Sequence, residues 1–245
     1  MQVDLNDVFS VCTLVTLRQT LTQLTRAVYS STTGGQDQLR QRNRVESIVV
    51  IAVMNIIEGQ VKDQGGEGMP LFGQVYQELL TELLRSVTNT QHKVQQQYKN
   101  HIEKIFTEKG FFSMSERSLR KWQIIMRQYL SNNTDLWTDL LRAFDSQGGL
   151  FVTKQRLMQN QSDVFRQLSF LIFSTRKDQI NEQLDPLLKK MADSFKRGQK
   201  EEPFVVALFL LSRILMLRLG PRKLAEALKR LWPHVLAELV SVFDN

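Results

Sequence analysis

The chain reads as an all-α protein of stacked helical hairpins, a HEAT- or armadillo-like α-solenoid. Three observations predict this. Apolar residues recur at steps of three and four along most of the chain, and no stretch alternates as a half-buried strand does. The 245 residues include only 5 Pro and 12 Gly, which argues against a β-sandwich or a disordered chain. In the last third, Leu184-Asp185-Pro186-Leu187-Leu188 and Leu231-Trp232-Pro233-His234-Val235 each place a proline at the start of an apolar-striped helix, and the prolines stand 47 residues apart. One helix pair per period of about that length is the pattern of HEAT and armadillo arrays. The length accommodates about five such pairs at roughly 45 residues each, read as a single helical-repeat domain over 1–245.

Each element follows from its spacing. Leu14, Leu17, Leu21, Leu24 and Val28 mark one face of a first helix, ended by Ser30–Gly35. Val45–Ile57 is apolar nearly all round and reads as a central helix, closed by Gly59 and the loop Gly65-Gly66-Glu67-Gly68. Pro70 suits a first helical turn, where its missing N–H costs nothing, and Phe72, Val75, Leu79, Leu83 and Val87 follow. Val94, Tyr98, Ile102, Ile105 and Phe106 continue the pattern after a break expected at Asn89-Thr90. Ser113 and Glu116 form a capping box ahead of Leu119, Trp122, Ile125, Met126 and Tyr129. Asn132-Asn133 separates that helix from one carrying Leu136, Leu140, Leu141 and Phe144. Beyond Gly148-Gly149 come helices at Val164–Ser174, from Pro186, at Phe204–Leu219, at Leu224 and from Pro233. The glycine loops near 65 and 148 are the candidate seams.

Composition narrows the function classes. The single cysteine, Cys12, excludes a disulfide framework and a Cys-based zinc site, and predicts a reducing, cytoplasmic setting. Cys12 lies by an apolar stripe with Phe9 and Val15 and reads as a small buried hydrophobe. Residues 1–17 include Asp4 and Asp7 and lack the basic start of a signal peptide. The most apolar window, Phe204–Leu217, contains Arg213 and is too short to cross ~30 Å of hydrocarbon, so it reads as a helix buried in the stack.

No reactive centre emerges, and the chain reads as non-enzymatic, with no cofactor and no metal. His92, His101 and His234 have no metal-ligand spacing, and read as surface or packing residues. Gly65-Gly66-Glu67-Gly68 lacks the Gly-Lys-Ser/Thr ending of a phosphate loop. Glu201-Glu202 precedes Pro203 at a helix start, where negative charge complements the dipole.

The net charge is +7 and is localised: from Arg176 to Arg230 there are 13 Lys/Arg against 7 Asp/Glu. On the Pro186 helix, Leu187, Leu188, Met191 and Phe195 form the inward stripe, opposite Lys189, Lys190, Lys196, Arg197 and Lys200. On the Leu224 helix, Leu224, Leu228 and Leu231 face in and Arg222, Lys223, Lys229 and Arg230 face out. Stacked repeats set equivalent faces side by side, so the rows merge into one positive surface for anionic lipid or an acidic partner. The same rows also read as an ordinary solvated face. Nucleic acid is the alternative that the charge permits. It is not expected, because aromatics are sparse on the basic faces and no recognition motif is present.

Several segments resemble the C-terminal region of the Dopey family. They are Phe111-Phe112-Ser113-Met114 with Trp122, Ile124-Ile125 and Leu130; Leu168–Ser174 through Asp178-Gln179; and Leu208–Arg218 with Pro221, Leu231-Trp232-Pro233 and Glu238–Phe243. They occur in the family's order over residues 111–243, while Arg222–Arg230 is longer and more basic than the family pattern. Dopey proteins are very large, so the chain is similar to a C-terminal piece or a shortened relative. The resemblance implies a peripheral protein of Golgi and endosomal membranes, a scaffold in endosome-to-Golgi traffic without catalytic residues. It further implies as partners a large HEAT-repeat protein related to Arf exchange factors, an aminophospholipid flippase, kinesin light chain and anionic phosphoinositide membrane.

Overall fold

A computed structural model describes residues 50–59, 96–131, 133–146, 153–196 and 201–243, with single positions at Cys12, Val15, Thr16, Gln19, Gln23, Glu78 and Thr81. Every regular element among them is helical, as the spacing predicts. The chain forms two compact units, Met1–Asn132 and Asn133–Asn245. The expected first helix falls mostly outside the described residues, as do the seams near 65 and 148, most of the Pro70 helix and the break at Asn89-Thr90.

In Met1–Asn132, residues 50–59 are helical and bury Val50, Val53, Met54 and Ile57, while Ile56 is exposed. The stretch is therefore one-sided, not enclosed all round as its composition predicts. Helix α1 (Gln96–Thr107) buries Tyr98, Ile102, Ile105 and Phe106. Glu58 holds Lys104 of α1 at 2.6 Å. A short 3₁₀ turn, Lys109–Ser113, leads to α2 (Glu116–Leu130). The cap of α2 is Ser115, whose hydroxyl accepts the Ser118 N–H at 3.2 Å; the predicted Ser113 box is displaced because Ser113 belongs to the 3₁₀ turn. Trp122, Ile125, Met126 and Tyr129 are buried, as the spacing predicts. Phe111 sits edge-on to Phe106, Phe112 and Trp122, with ring centroids 5.1, 5.2 and 5.5 Å away. The Tyr129 hydroxyl donates to Glu103 across the α1–α2 pair. Cys12 is exposed, not buried.

Asn133–Asn245 holds α3 (Asp135–Ser146), α4 (Lys154–Ser174), α5 (Asn181–Lys196), α6 (Glu202–Arg218) and α7 (Pro221–Phe243). Helix α4 starts ten residues before the predicted Val164, because the Thr153 hydroxyl accepts the Arg156 N–H and carries the polar first turns. The predicted helices at Leu224 and Pro233 are one helix, α7. Packing runs α3 on α4, then α3 on α5, α4 on α6 and α5 on α7. Alternate helices therefore stack on one another: α3, α5 and α7 follow in one series, α4 and α6 in another.

The period of that stacking differs from the proline spacing. Asp145 of α3 pairs with Lys190 of α5, and Asp185 of α5 pairs with Arg230 of α7. Both the carboxylates and the cations stand 40 residues apart. At the same offset the inward row of α5, Leu184, Leu187, Leu188, Met191 and Phe195, matches Leu224, Ala227, Leu228, Leu231 and Val235 of α7. Pro186 is the sixth residue of α5 and Pro233 the thirteenth of α7, so both lie inside their helices and not at the starts. The prolines exceed the structural period by seven residues, two helical turns. Each removes one backbone hydrogen bond, a cost of ~3 kcal/mol that the buried apolar rows offset.

The connecting turns brace one another. Asp178, in the α4–α5 turn, has φ 60, a left-handed conformation that Asp tolerates better than most residues. Its N–H donates to the Arg218 carbonyl at 3.1 Å and its carboxylate accepts the Gly220 N–H at 2.7 Å, tying this turn to the α6–α7 turn. A Cβ on Gly220 would stand 2.6 Å from Asp178 Oδ2. Gly220→Ala is expected to destabilise the protein by ~1–3 kcal/mol. In urea denaturation the same substitution on an Asp178→Ala background should cost less, because the obstructing carboxylate is gone.

Candidate functional site

The chemistry of the basic rows depends on which cations are already committed. Lys190 points along the flank of α5 toward α3. Its ammonium lies 2.5 Å from Asp145 and 5.4 Å from the Phe144 ring centroid, and the side chain is only 18% exposed. Arg230 points along the flank of α7 toward α5, 2.7 Å from Asp185. Lys223 stands 4.0 Å from Asp178. Of the nine predicted binding cations, Lys190 and Arg230 therefore hold one helix against the next, and Lys223 faces the α4–α5 turn.

Lys189, Lys196, Arg222 and Lys229 have no ion pair among the described residues, and all four are exposed. Arg197 and Lys200 lie outside the described residues. The rows do not fuse into one uniform positive face, since exposed Glu182 and Glu226 interrupt them. Lys189, Lys196 and the paired Arg230 border a groove of about 720 Å³ between α5 and α7, while Arg222 and Lys229 lie off it. Its walls are Lys189 and Lys196 of α5 and Arg230 and His234 of α7, and Pro186, Leu188 and Ala192 form its apolar lining. Asp185, already paired with Arg230, is the carboxylate on this lining.

The groove follows from the sequence. Ala192 and Pro186 are small enough to leave space where two helices meet. Lys189 and Lys196 are seven residues apart, two turns, and so rise from one side of α5. The groove thus has cationic walls, one paired carboxylate and an apolar floor. Among the described residues no group of three or more His, Cys, Asp or Glu converges to hold a metal. His101 is half-buried in α1, His234 lines the groove, and His92 lies outside the described residues. Sequence reasoning missed His234 and Asp185 as members of this site. Alignment at an offset of 40 would have paired Lys189 with Lys229 and Lys190 with Arg230, and so exposed the repeat.

Helix α6 also departs from its expected setting. It buries Phe204, Ala207, Leu208, Leu211 and Leu215, but Val206, Leu210, Met216 and Leu217 are exposed. No described helix is long and apolar enough to cross a membrane.

Comparison with known proteins places these features in a lineage. The model of a family described as DOP1 C-terminal matches residues 8–245. The chain is 24% identical to the Protein DOP1 homolog of Drosophila melanogaster over 208 residues, covering 83% of this chain and 8% of that protein. The homolog of Drosophila pseudoobscura pseudoobscura matches with the same identity and coverage. Protein pad-1 of Caenorhabditis elegans is 23% identical over 146 residues, 58% of this chain and 6% of that protein. The chain thus spans less than a tenth of the length of these relatives. No solved structure matches it.

The two kinds of lysine should separate in stability measurements. Lys190→Met is expected to cost about 1 kcal/mol, from the lost ion pair and the lost cation over Phe144. Lys189→Met and Lys196→Met should stay within about 0.5 kcal/mol of the parent chain in urea denaturation.

Proposed function

Because the chain belongs to the DOP1 C-terminal family, we propose that it is a non-enzymatic docking module of a large trafficking scaffold. In this reading the stack in Asn133–Asn245 is a short α-solenoid of the HEAT or armadillo kind. Support comes from the 40-residue repetition of the Asp145–Lys190 and Asp185–Arg230 pairs and from the alternate-helix packing. The module acts at the cytoplasmic side of Golgi and endosomal membranes, as the likeness to Dopey proteins implies. Its protein partners there are a large HEAT-repeat protein related to Arf exchange factors, an aminophospholipid flippase and kinesin light chain.

The module holds an anionic membrane through the groove between α5 and α7. One observation carries this: Lys189 and Lys196 have no ion pair among the described residues, and they line a groove whose own carboxylate is already paired with Arg230. Each unpaired cation near an anionic bilayer contributes roughly 1 kcal/mol, so Lys189, Lys196, Arg222 and Lys229 together give measurable but reversible attachment. The attraction is screened by salt, since the Debye length shrinks from about 10 Å at 0.1 M to about 3 Å at 1 M.

The test is flotation with vesicles of phosphatidylcholine alone and with added phosphatidylserine. The chain should float only with the anionic vesicles, and less at high salt. Lys189→Glu with Lys196→Glu should reduce flotation by about tenfold or more, while Lys190→Met should change it little. Equal flotation with neutral vesicles, or no loss in the double variant, would overturn the reading. A Lys189/Lys196-dependent capture of duplex DNA or RNA that outcompetes the vesicles would favour nucleic acid instead.

A further inference from the structure

The 40-residue register shows what belongs on each side of a stacked helix. The side of α5 that meets α7 carries Asp185, Ala192 and Lys196. The positions 40 residues on in α7 are Ala225, Trp232 and Leu236. They lie away from α5, because Trp232 is two residues, about 200° round the helix, from Arg230, which faces α5. In α5 this side is small or charged, with Asp185 and Lys196 exposed on the groove. In α7 the corresponding side is large and apolar, yet Trp232 is 44% exposed, Leu236 43% and Val240 57%. Exposed Arg222 and Lys229 share it, and neither has an ion pair among the described residues.

We propose that this side of α7 is seated on an anionic bilayer, with Trp232 and Leu236 inserted at the headgroup level and Arg222 and Lys229 held at the lipid phosphates. The inference rests on the membrane reading above and adds an apolar anchor to its electrostatic contacts. Charge complementarity selects the occupant: among the described residues exposed Glu226 is the one carboxylate beside Arg222 and Lys229, and Lys189 of α5, in register with Lys229, adds a third exposed cation. A tryptophan ring is apolar with one N–H donor, which suits it to the interface of lipid and water. Lysine and arginine stems lie along apolar surface while their charged heads stay at the phosphates. A second copy of the chain would instead bring the same cations toward one another.

The chain carries its own probe. It has 3 Trp, and Trp122 is 0% and Trp137 6% exposed, so Trp232 is the one that a quencher in water reaches. Acrylamide quenching and the emission maximum of the full chain would be measured alone, with phosphatidylcholine vesicles, and with phosphatidylcholine–phosphatidylserine vesicles. A parallel set would carry brominated acyl chains. Anionic vesicles should shift the emission to the blue and lower the acrylamide quenching several-fold, and brominated lipid should quench. Trp232→Phe should abolish these changes while flotation persists. Leu236→Glu with Val240→Glu should weaken flotation by about tenfold, including at salt concentrations that screen the lysines. If the chain floats with anionic vesicles while Trp232 stays as accessible as in water, insertion is overturned and surface attraction alone stands. If Trp232 is already protected without vesicles and sedimentation gives a dimer, the occupant is a second copy. If the chain does not float, the membrane reading and this inference fall together.

Discussion

The packing of Asn133–Asn245 depends on Phe165. Its ring lies 4.9 Å from Phe144 of α3 and 5.5 Å from Phe204 of α6, so one buried side chain of α4 meets both helices that pack on α4. Aromatic rings bury large apolar areas, which makes such a contact expensive to lose. Polar contacts then fix the sliding register that apolar surfaces leave free. Gln161 donates to the Phe144 carbonyl at 3.4 Å, and the Ser162 hydroxyl donates to the Pro203 carbonyl at 2.8 Å. Both flank Phe165 within one turn and lock α4 lengthwise against α3 and the start of α6.

Given that core, the cations of the α5–α7 region divide by direction. A lysine or arginine on a helix flank reaches the next helix and is neutralised there, as Lys190 and Arg230 are by Asp145 and Asp185. One turned to the outside finds no carboxylate, as with Lys189 and Lys229. The distinction is a rotation of about 100° per residue, so adjacent lysines such as Lys189 and Lys190 have different work. Flank pairs of this partly exposed kind add little stability, about 0–1 kcal/mol. Their value is positional: repeated at 40 residues, they set the same register twice and leave the same neighbouring position, Lys189 and then Lys229, free.

The sequence disclosed the inward rows well and the punctuation poorly. Leu187, Leu188, Met191 and Phe195 are buried as their spacing demands, and so are Trp122, Ile125, Met126 and Tyr129. Such rows are legible because the hydrophobic effect acts on every residue of a helix face. The proline-led repeat misled because Pro186 and Pro233 are tolerated at exposed points inside helices, and so mark neither starts nor equivalent places. The capping box misled because Ser113 and Ser115 are both serines within reach of the helix start, and backbone geometry chose the second. The placement of the cations was half legible. Charge and face can be read from spacing, but pairing across 45 residues cannot be read until the register is known.

Function in such an assembly turns on how rigidly the groove and the end of α7 are held. A binding surface contributes affinity only beyond the cost of ordering it, so a surface fixed in advance binds more tightly for the same contacts. The α4–α5 turn spans 175–180, whereas the α6–α7 turn has only Leu219 and Gly220. The longer turn folds onto the shorter one through Asp178, and the left-handed backbone at Asp178 is sustained by the hydrogen bonds it makes to Arg218 and Gly220. That clasp fixes where α7 begins. Asp185–Arg230 fixes its rotation about two and a half turns later. With origin and rotation both set, Lys196 and His234 are held across one groove, and Trp232 is held on the side of α7 turned away from α5. Bulky apolar residues kept uncovered on a helix so firmly positioned represent a standing cost in water, which burial against an apolar surface removes; the proposed lipid interface would supply such a surface.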